Sequence, residues 1–232
     1  MQKKTLGLFL LYALLTAGCG GVNAAPTPSS DTVDKSPFTG IPCAAPCWYG
    51  LEVGKSHEND VLSTLPRLTF IDRKSVYFRL IPSMSTFDDP RVFGGGVMIF
   101  SNCVNSKTRC LTIQVVEDVL TEILLVLNYQ IKVGEAIDYL GNPNYVGYDR
   151  AGGRLVACRV FLIWIEKQLV LESNLVDSPN EVEKNCPIVG DAGKISTDLL
   201  VSQVRYMSAA AIEGLRSSSA SEFFEFSGTL FE

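Results

Sequence analysis

Two stretches of alternating side chains, joined by two acidic residues, constrain this chain most. In Cys110–Val116, Leu111, Ile113 and Val115 share one face. After Glu117 and Asp118, the stretch Val119–Asn128 sets Ile123, Leu125 and Leu127 on one face. A period of two marks strands buried on one side, and a polar pair between two such runs marks a hairpin turn. A lone hairpin cannot bury its apolar face, so other elements must cover it. The 232 residues are enough to bury roughly 70% of the surface of the unfolded chain. With 47% hydrophobic and 19% charged residues, the chain is globular rather than disordered.

Other segments extend this pattern. Ser56 is a suitable N-cap for a helix running to about Leu65, with Val61, Leu62 and Leu65 facing inward and Pro66 ending it. Further strands are expected at about Thr69–Ile81 and Val97–Cys103. Val133–Leu140 reads as a second helix, with Val133, Ala136, Ile137 and Leu140 on one face and Gly141 and Pro143 as stops. Strands follow at about Tyr145–Tyr148, Leu155–Ile165 and Leu169–Ser173, with turns at Asp149–Arg154 and Glu166-Lys167. The long polar stretch Asn174–Thr197 precedes a strand at Leu199–Met207, a helix at Ala209–Leu215 and a hinge at Ser217–Ser221. Phe223, Phe224, Phe226 and Phe231 are expected to dock on the body, since a free tail carrying them would invite aggregation.

The N-terminus reads as an export signal. Lys3 and Lys4 precede an unbroken apolar run from Leu6 to Leu15, too short to span a bilayer, which needs about 20 apolar residues. The sequence Leu15-Thr16-Ala17-Gly18-Cys19 resembles the bacterial lipoprotein signal, with Thr16 where leucine is usual. That resemblance implies cleavage before Cys19 and acylation of Cys19, giving the several chains that stable anchoring requires. Loss of residues 1–18 leaves 214 residues and takes the formal charge from −5 to −7, because Lys3 and Lys4 go with it. Lipid, not a polybasic patch, would then hold the protein to the membrane. Residues 19–40, with Pro26, Pro28 and Pro37, read as a flexible tether with a reach of about 25 Å.

With Cys19 acylated, Cys43, Cys47, Cys103, Cys110, Cys158 and Cys186 remain. An even number in an exported chain points to disulfides, and six cysteines allow roughly 15 full pairings. Sequence-adjacent pairs are favoured: Cys43 with Cys47 in a tight turn, Cys103 with Cys110 across a polar hairpin tip, and Cys158 with Cys186 across a long loop. Free thiols or a metal site are the rival readings, although C-x3-C without histidines is a poor zinc motif.

Chemistry leaves few marks. His57 is the single histidine, and His57-Glu58-Asn59-Asp60-Val61 lacks the second histidine of a zinc protease helix. A first-turn helix histidine is the plainer reading. Gly94-Gly95-Gly96 fits neither a dinucleotide fingerprint nor a phosphate loop and reads as a turn. No G-x-S-x-G elbow is present, and sequence spacing selects no carboxylate pair. No metal or cofactor is expected. The acidic balance without any Lys/Arg run argues against nucleic acid as a partner. Trp48 and Tyr49 are candidates for a binding surface, with packing of Trp48 on the neighbouring disulfide as the alternative; Trp164 reads as core.

The body also carries a resemblance. Gly54…Val61…Leu65-Pro66 and Ile137-x-x-Leu140-Gly141-x-Pro143 resemble the helix–Gly–x–Pro signature of small two-layer modules. Such modules occur in the outer-membrane assembly lipoprotein of the BamE/SmpA type and, as a tandem pair, in β-lactamase inhibitor protein. The Pro-Cys-Trp-x-Gly opening and Gly-Asn-Pro-Asn-Tyr-Val are similar to a group of bacterial lipoproteins. The resemblance implies an α+β fold: two tandem helix-plus-antiparallel-strand units, 41–130 and 131–232, forming a sheet with helices on one face. It also implies non-catalytic binding to protein. The expectation is a lipid-anchored module facing outside the cytoplasm, whose partner is an envelope or extracellular protein. An extracytoplasmic hydrolase and a small-molecule-binding lipoprotein stay open as alternatives.

Overall fold

The computed structural model describes residues 34–81, 95–151, 157–175, 195–217, 221–226 and 230–231. The export signal, Cys19, Cys186, Gly94 and most of 174–197 lie outside them.

The two alternating runs form an antiparallel hairpin, β5 (Arg109–Val116) and β6 (Val119–Val126), closed by Val116 opposite Val119. Glu117 and Asp118 both take positive φ, 51° and 65°, the backbone of a type I′ turn whose twist matches its strands. The hairpin is the middle of something larger. With β3 (Tyr77–Ile81), β4 (Gly96–Asn102), β7 (Tyr145–Ala151), β8 (Ala157–Trp164), β9 (Leu169–Leu175), β11 (Gln203–Met207) and β12 (Ser221–Glu225), it forms one nine-stranded sheet in the order β12-β7-β8-β9-β11-β6-β5-β4-β3. Every pairing in it is antiparallel. Two ribbons stand apart: β1 (Cys47–Trp48) with β2 (Leu51–Glu52), and β10 (Ile195–Ser196) parallel to β13 (Leu230–Phe231).

This corrects the α+β expectation. The chain is mostly β, and the helices among the described residues are short: α1 (Ser36–Thr39), α2 (Glu58–Thr64), α3 (Val133–Leu140) and α4 (Ala209–Arg216). Nor do they share one face. Residues 160, 162, 164, 169 and 171 point into a core with Val61 of α2 and Val133, Ala136 and Ile137 of α3. Phe161, Ile163 and Val170, one step out of phase, pack instead with Met207 of β11 and Ile212 of α4. Strand alternation puts these two sets on opposite faces of the sheet. The main core runs through both halves without a break, from Ile99 and Ile113 through Ile123 and Val204 to Leu162 and Val146. Each such fully buried aliphatic side chain stabilises by about 1.5–3 kcal/mol.

The helices are pinned locally. The Asp60 carboxylate accepts from His57 N at 2.8 Å at the start of α2, and Asp118 at the hairpin tip accepts from Glu58 N at 3.2 Å. His57, not Ser56, is the N-cap, because Ser56 Oγ is already accepting from Glu52 N. At the other helix, Trp164 is buried and its Nε1 donates to Gly141 O, capping the end of α3. The segment expected as one strand from Thr69 starts only at Tyr77. Asp72 accepts from Lys74 N and turns the chain through a 3-10 turn at Arg73–Ser75 first. Residues 34–40, read as the end of the tether, belong to the folded body: Asp34, Ser36, Pro37 and Phe38 are buried.

Gly147 shows how tightly the second face is built. It lies between Phe161 and Phe223 across β8-β7-β12, and a Cβ on it would overlap the Phe223 ring at Cε1. The ring lies over the bare backbone. We expect Gly147→Ala to destabilise the protein by about 1–3 kcal/mol through overpacking. Adding Phe223→Leu should recover part of that loss, measured by urea unfolding. Additive losses would contradict the contact.

Candidate binding surface

Trp48 is not a surface residue. It is fully buried, edge-on to Tyr49 and Phe70 with ring centroids at 5.2 and 6.2 Å, and Tyr49 is half-buried beside it. The reason is Asp34. Its buried carboxylate accepts from Trp48 Nε1 and Ser36 N, each at 2.9 Å, and from Tyr49 OH at 3.3 Å. Tyr129 OH donates to the Asp34 carbonyl at 2.8 Å. An indole N–H inside a protein needs an acceptor, and Asp34 supplies it, so the ring goes in and not out. Sequence reasoning missed Asp34, which it placed in the tether.

Burial pushes the Asp34 carboxyl above its usual range, against the hydrogen bonds from Ser36, Trp48 and Tyr49 that favour the charged form. Burial and the nearby Asp34 charge likewise raise the Tyr49, Tyr129 and Tyr206 hydroxyls. Tyr206 OH is buried and meets no hydrogen-bond partner among the described residues.

The cysteines fit the local pairing where they are described. Cys43 is bonded to Cys47 and Cys103 to Cys110, with Cα separations of 5.6 and 5.5 Å. The second bond closes the connection between β4 and β5. The Cys158–Cys186 pairing lies outside the described residues. His57 Nδ1 lies 3.2 Å from both the carbonyl and the carboxylate of Asp118, an exposed contact that ties α2 to the hairpin. Among the described residues, no cluster of three or more His, Cys, Asp or Glu could hold a metal ion, and no helix is long and apolar enough to cross a membrane.

Three surface features stand out among the described residues. A groove of about 430 Å³ runs between α1 and α3, with Phe38 and Tyr139 at a centroid distance of 6.5 Å and Lys35, Glu135 and Asp138 at its rim. On the sheet face opposite α2 and α3, Arg205 Nε lies 2.5 Å from buried Glu172 and its NH1 lies 3.3 Å from Glu122. Burial raises the Glu172 carboxyl, while Arg205 and then Arg159 pull it back. The third feature is the edge of β3, which no other described strand pairs. Tyr77, Phe78 and Leu80 are 45%, 55% and 77% exposed there. Beside it lies a groove of about 230 Å³ lined by Leu62, Leu65, Pro66, Arg73, Val76 and Phe78. Arg67, Lys74 and Arg79 are exposed along the same stretch. Sequence reasoning looked for a basic run and passed over this one, because its cations are spread across thirteen positions and meet only when the chain folds. Its legible trace is local: residues 65–81 hold four basic side chains and one acidic in a chain of net charge −5.

Comparison with known protein families, curated proteins and solved structures finds no match.

Two outcomes test this geometry. Asp34→Asn should cost about 2 kcal/mol, since an amide cannot accept from all the donors now facing the carboxylate. The native carboxyl keeps its proton where the unfolded one, at 3.8, has lost it, so the native state binds more protons. The stability advantage of the native sequence over the Asp34→Asn variant should therefore be largest below pH 3.8 and fall as the pH rises through the raised native value. Urea unfolding of both proteins across that range measures the difference, and a difference that grows with pH would contradict it. Separately, replacing Cys103 and Cys110 together by serine should lower stability by about 2 kcal/mol, the loop-closure value for so short a loop. Unchanged urea midpoints would contradict that.

Proposed function

We propose that this chain is a lipid-anchored protein of the cell envelope, facing outside the cytoplasm, that works by binding another protein. The observation that carries the reading is Leu15-Thr16-Ala17-Gly18-Cys19 at the end of a short apolar run. Two features support it. The bonds Cys43–Cys47 and Cys103–Cys110 belong to an oxidising compartment. Asp34, the first described residue, stands about 15 positions after Cys19, and a flexible linker of that length would reach roughly 20 Å. Acyl chains fix the location, the linker gives clearance, and a disulfide-bonded sheet presents a rigid surface. Binding rather than catalysis is favoured by the exposed aromatic and aliphatic side chains of β3, which offer contact area without a convergent set of reactive groups.

A second reading rests on the groove between α1 and α3. Its volume of about 430 Å³ is in the size range of small-ligand sites, and its aromatic walls suit a ring or a sugar face.

Cys19→Ala should move the protein from the membrane to the soluble fraction without changing its urea midpoint. A variant that still sediments with membranes would contradict the anchor.

A further inference from the structure

We propose that the free edge of β3 takes up an extended, acidic segment of the partner protein as a tenth strand of the sheet. The inference rests on the protein-binding reading above and names its site and the chemistry of its occupant. Among the described residues β3 is hydrogen-bonded to β4 alone, so the N–H and C=O groups of every second residue face outward with no partner among them. Tyr77–Ile81 spans about 17 Å, room for a strand of five or more residues.

The side chains say what such a strand would carry. Phe78 and Leu80 stand opposite Ile99 and Val97, continuing the apolar row of the main core out to the rim. The groove bounded by Leu62, Leu65 and Val76 opens beside them, where the helix layer reaches the last strand. An added strand would drop alternate apolar side chains into that groove, the usual division between main-chain pairing and side-chain pockets. On the other face, Tyr77 stacks on Phe100 at 4.8 Å, with the Arg109 guanidinium 4.2 Å above the Phe100 ring and donating to Tyr77 OH at 2.6 Å. Arg67, Arg73, Lys74 and Arg79 add positive charge along the edge, and among the described residues none of the four makes an ion pair. Acidic side chains alternating with apolar ones meet both demands. A second copy of this chain meets them poorly, because two β3 strands paired antiparallel about Arg79 would set like charges face to face.

The test uses the full chain in dodecylmaltoside micelles and a fluorescent nine-residue peptide alternating Glu and Val. Two control peptides carry Lys for every Glu, or Pro at the centre. We expect the acidic peptide to bind at least ten-fold more tightly than either control and to slow amide exchange in 77–81. We also expect R73E/R79E to weaken it at least ten-fold with an unchanged urea midpoint. Equal binding of the Lys peptide, or of the Pro peptide, would overturn the proposal: the first removes the charge requirement and the second the strand pairing. Absence of peptide binding would also overturn it, whether the edge instead held vesicles of phosphatidylglycerol or paired with a second copy in sedimentation. The peptide assay does not require acylated Cys19, so its failure is distinct from failure of the membrane anchor.

Discussion

One five-residue strand holds the sheet together. β11 is hydrogen-bonded to β6 on one side and β9 on the other, and without it the remaining strands would fall into two sheets of four. Its side chains join both faces of the seam. Val204 and Tyr206 point into the main core, while Arg205 reaches Glu122 on β6 and Glu172 on β9. A buried ion pair is weak evidence for stability, since desolvation offsets most of the attraction. Its value here is register: shifting β11 by one residue would bury Arg205 and expose Tyr206. The two strand edges left at the ends of the sheet then differ. β12 is partly wrapped by α4 contacts, whereas β3 is basic and meets no further strand among the described residues.

The start of the body is fixed by a different kind of contact. Asp34 reaches Trp48 and Tyr49 through its carboxylate and Tyr129 through its carbonyl, tying the first described residue to a ribbon and to the segment before α3. A buried carboxyl with three donors aimed at it costs desolvation, yet removing it would strand an indole and a phenol without partners. Asp34 thus holds the chain before Trp48 against the folded body. The two short disulfides act on a smaller scale, closing the turn that leads into Trp48 and the connection from β4 to β5.

Much of the strand content was legible because it is carried by alternation. The β5–β6 hairpin, the helix at Val133–Leu140 and the inward face of Trp164 follow from local pattern alone. The architecture was not, for two physical reasons. Short helices opening each half suggested two layered units, but α4 packs on the reverse of the sheet, a placement set by out-of-phase residues such as Phe161 and Val170 that period-two reading treats as merely polar-side positions. And β11 follows a long polar stretch, so nothing local says that it inserts between β9 and β6. At the candidate site, Trp48 and Tyr49 were singled out for being aromatic, while Asp34, fourteen residues earlier, decides their burial. The basic edge escaped for the same reason: its residues converge only through the turn at Asp72.

These elements give the binding reading its physical form: a sheet made continuous by β11, an N-terminal segment held at Asp34, and one edge open among the described residues. Native-state hydrogen exchange along a urea gradient tests the continuity most directly. The amides of 203–207 and their partners in 122–126 and 169–172 should exchange through one opening, at the free energy of global unfolding. Exchange of the β11 amides at a lower free energy, with β3–β6 and β7–β9 opening at two separate levels, would contradict it.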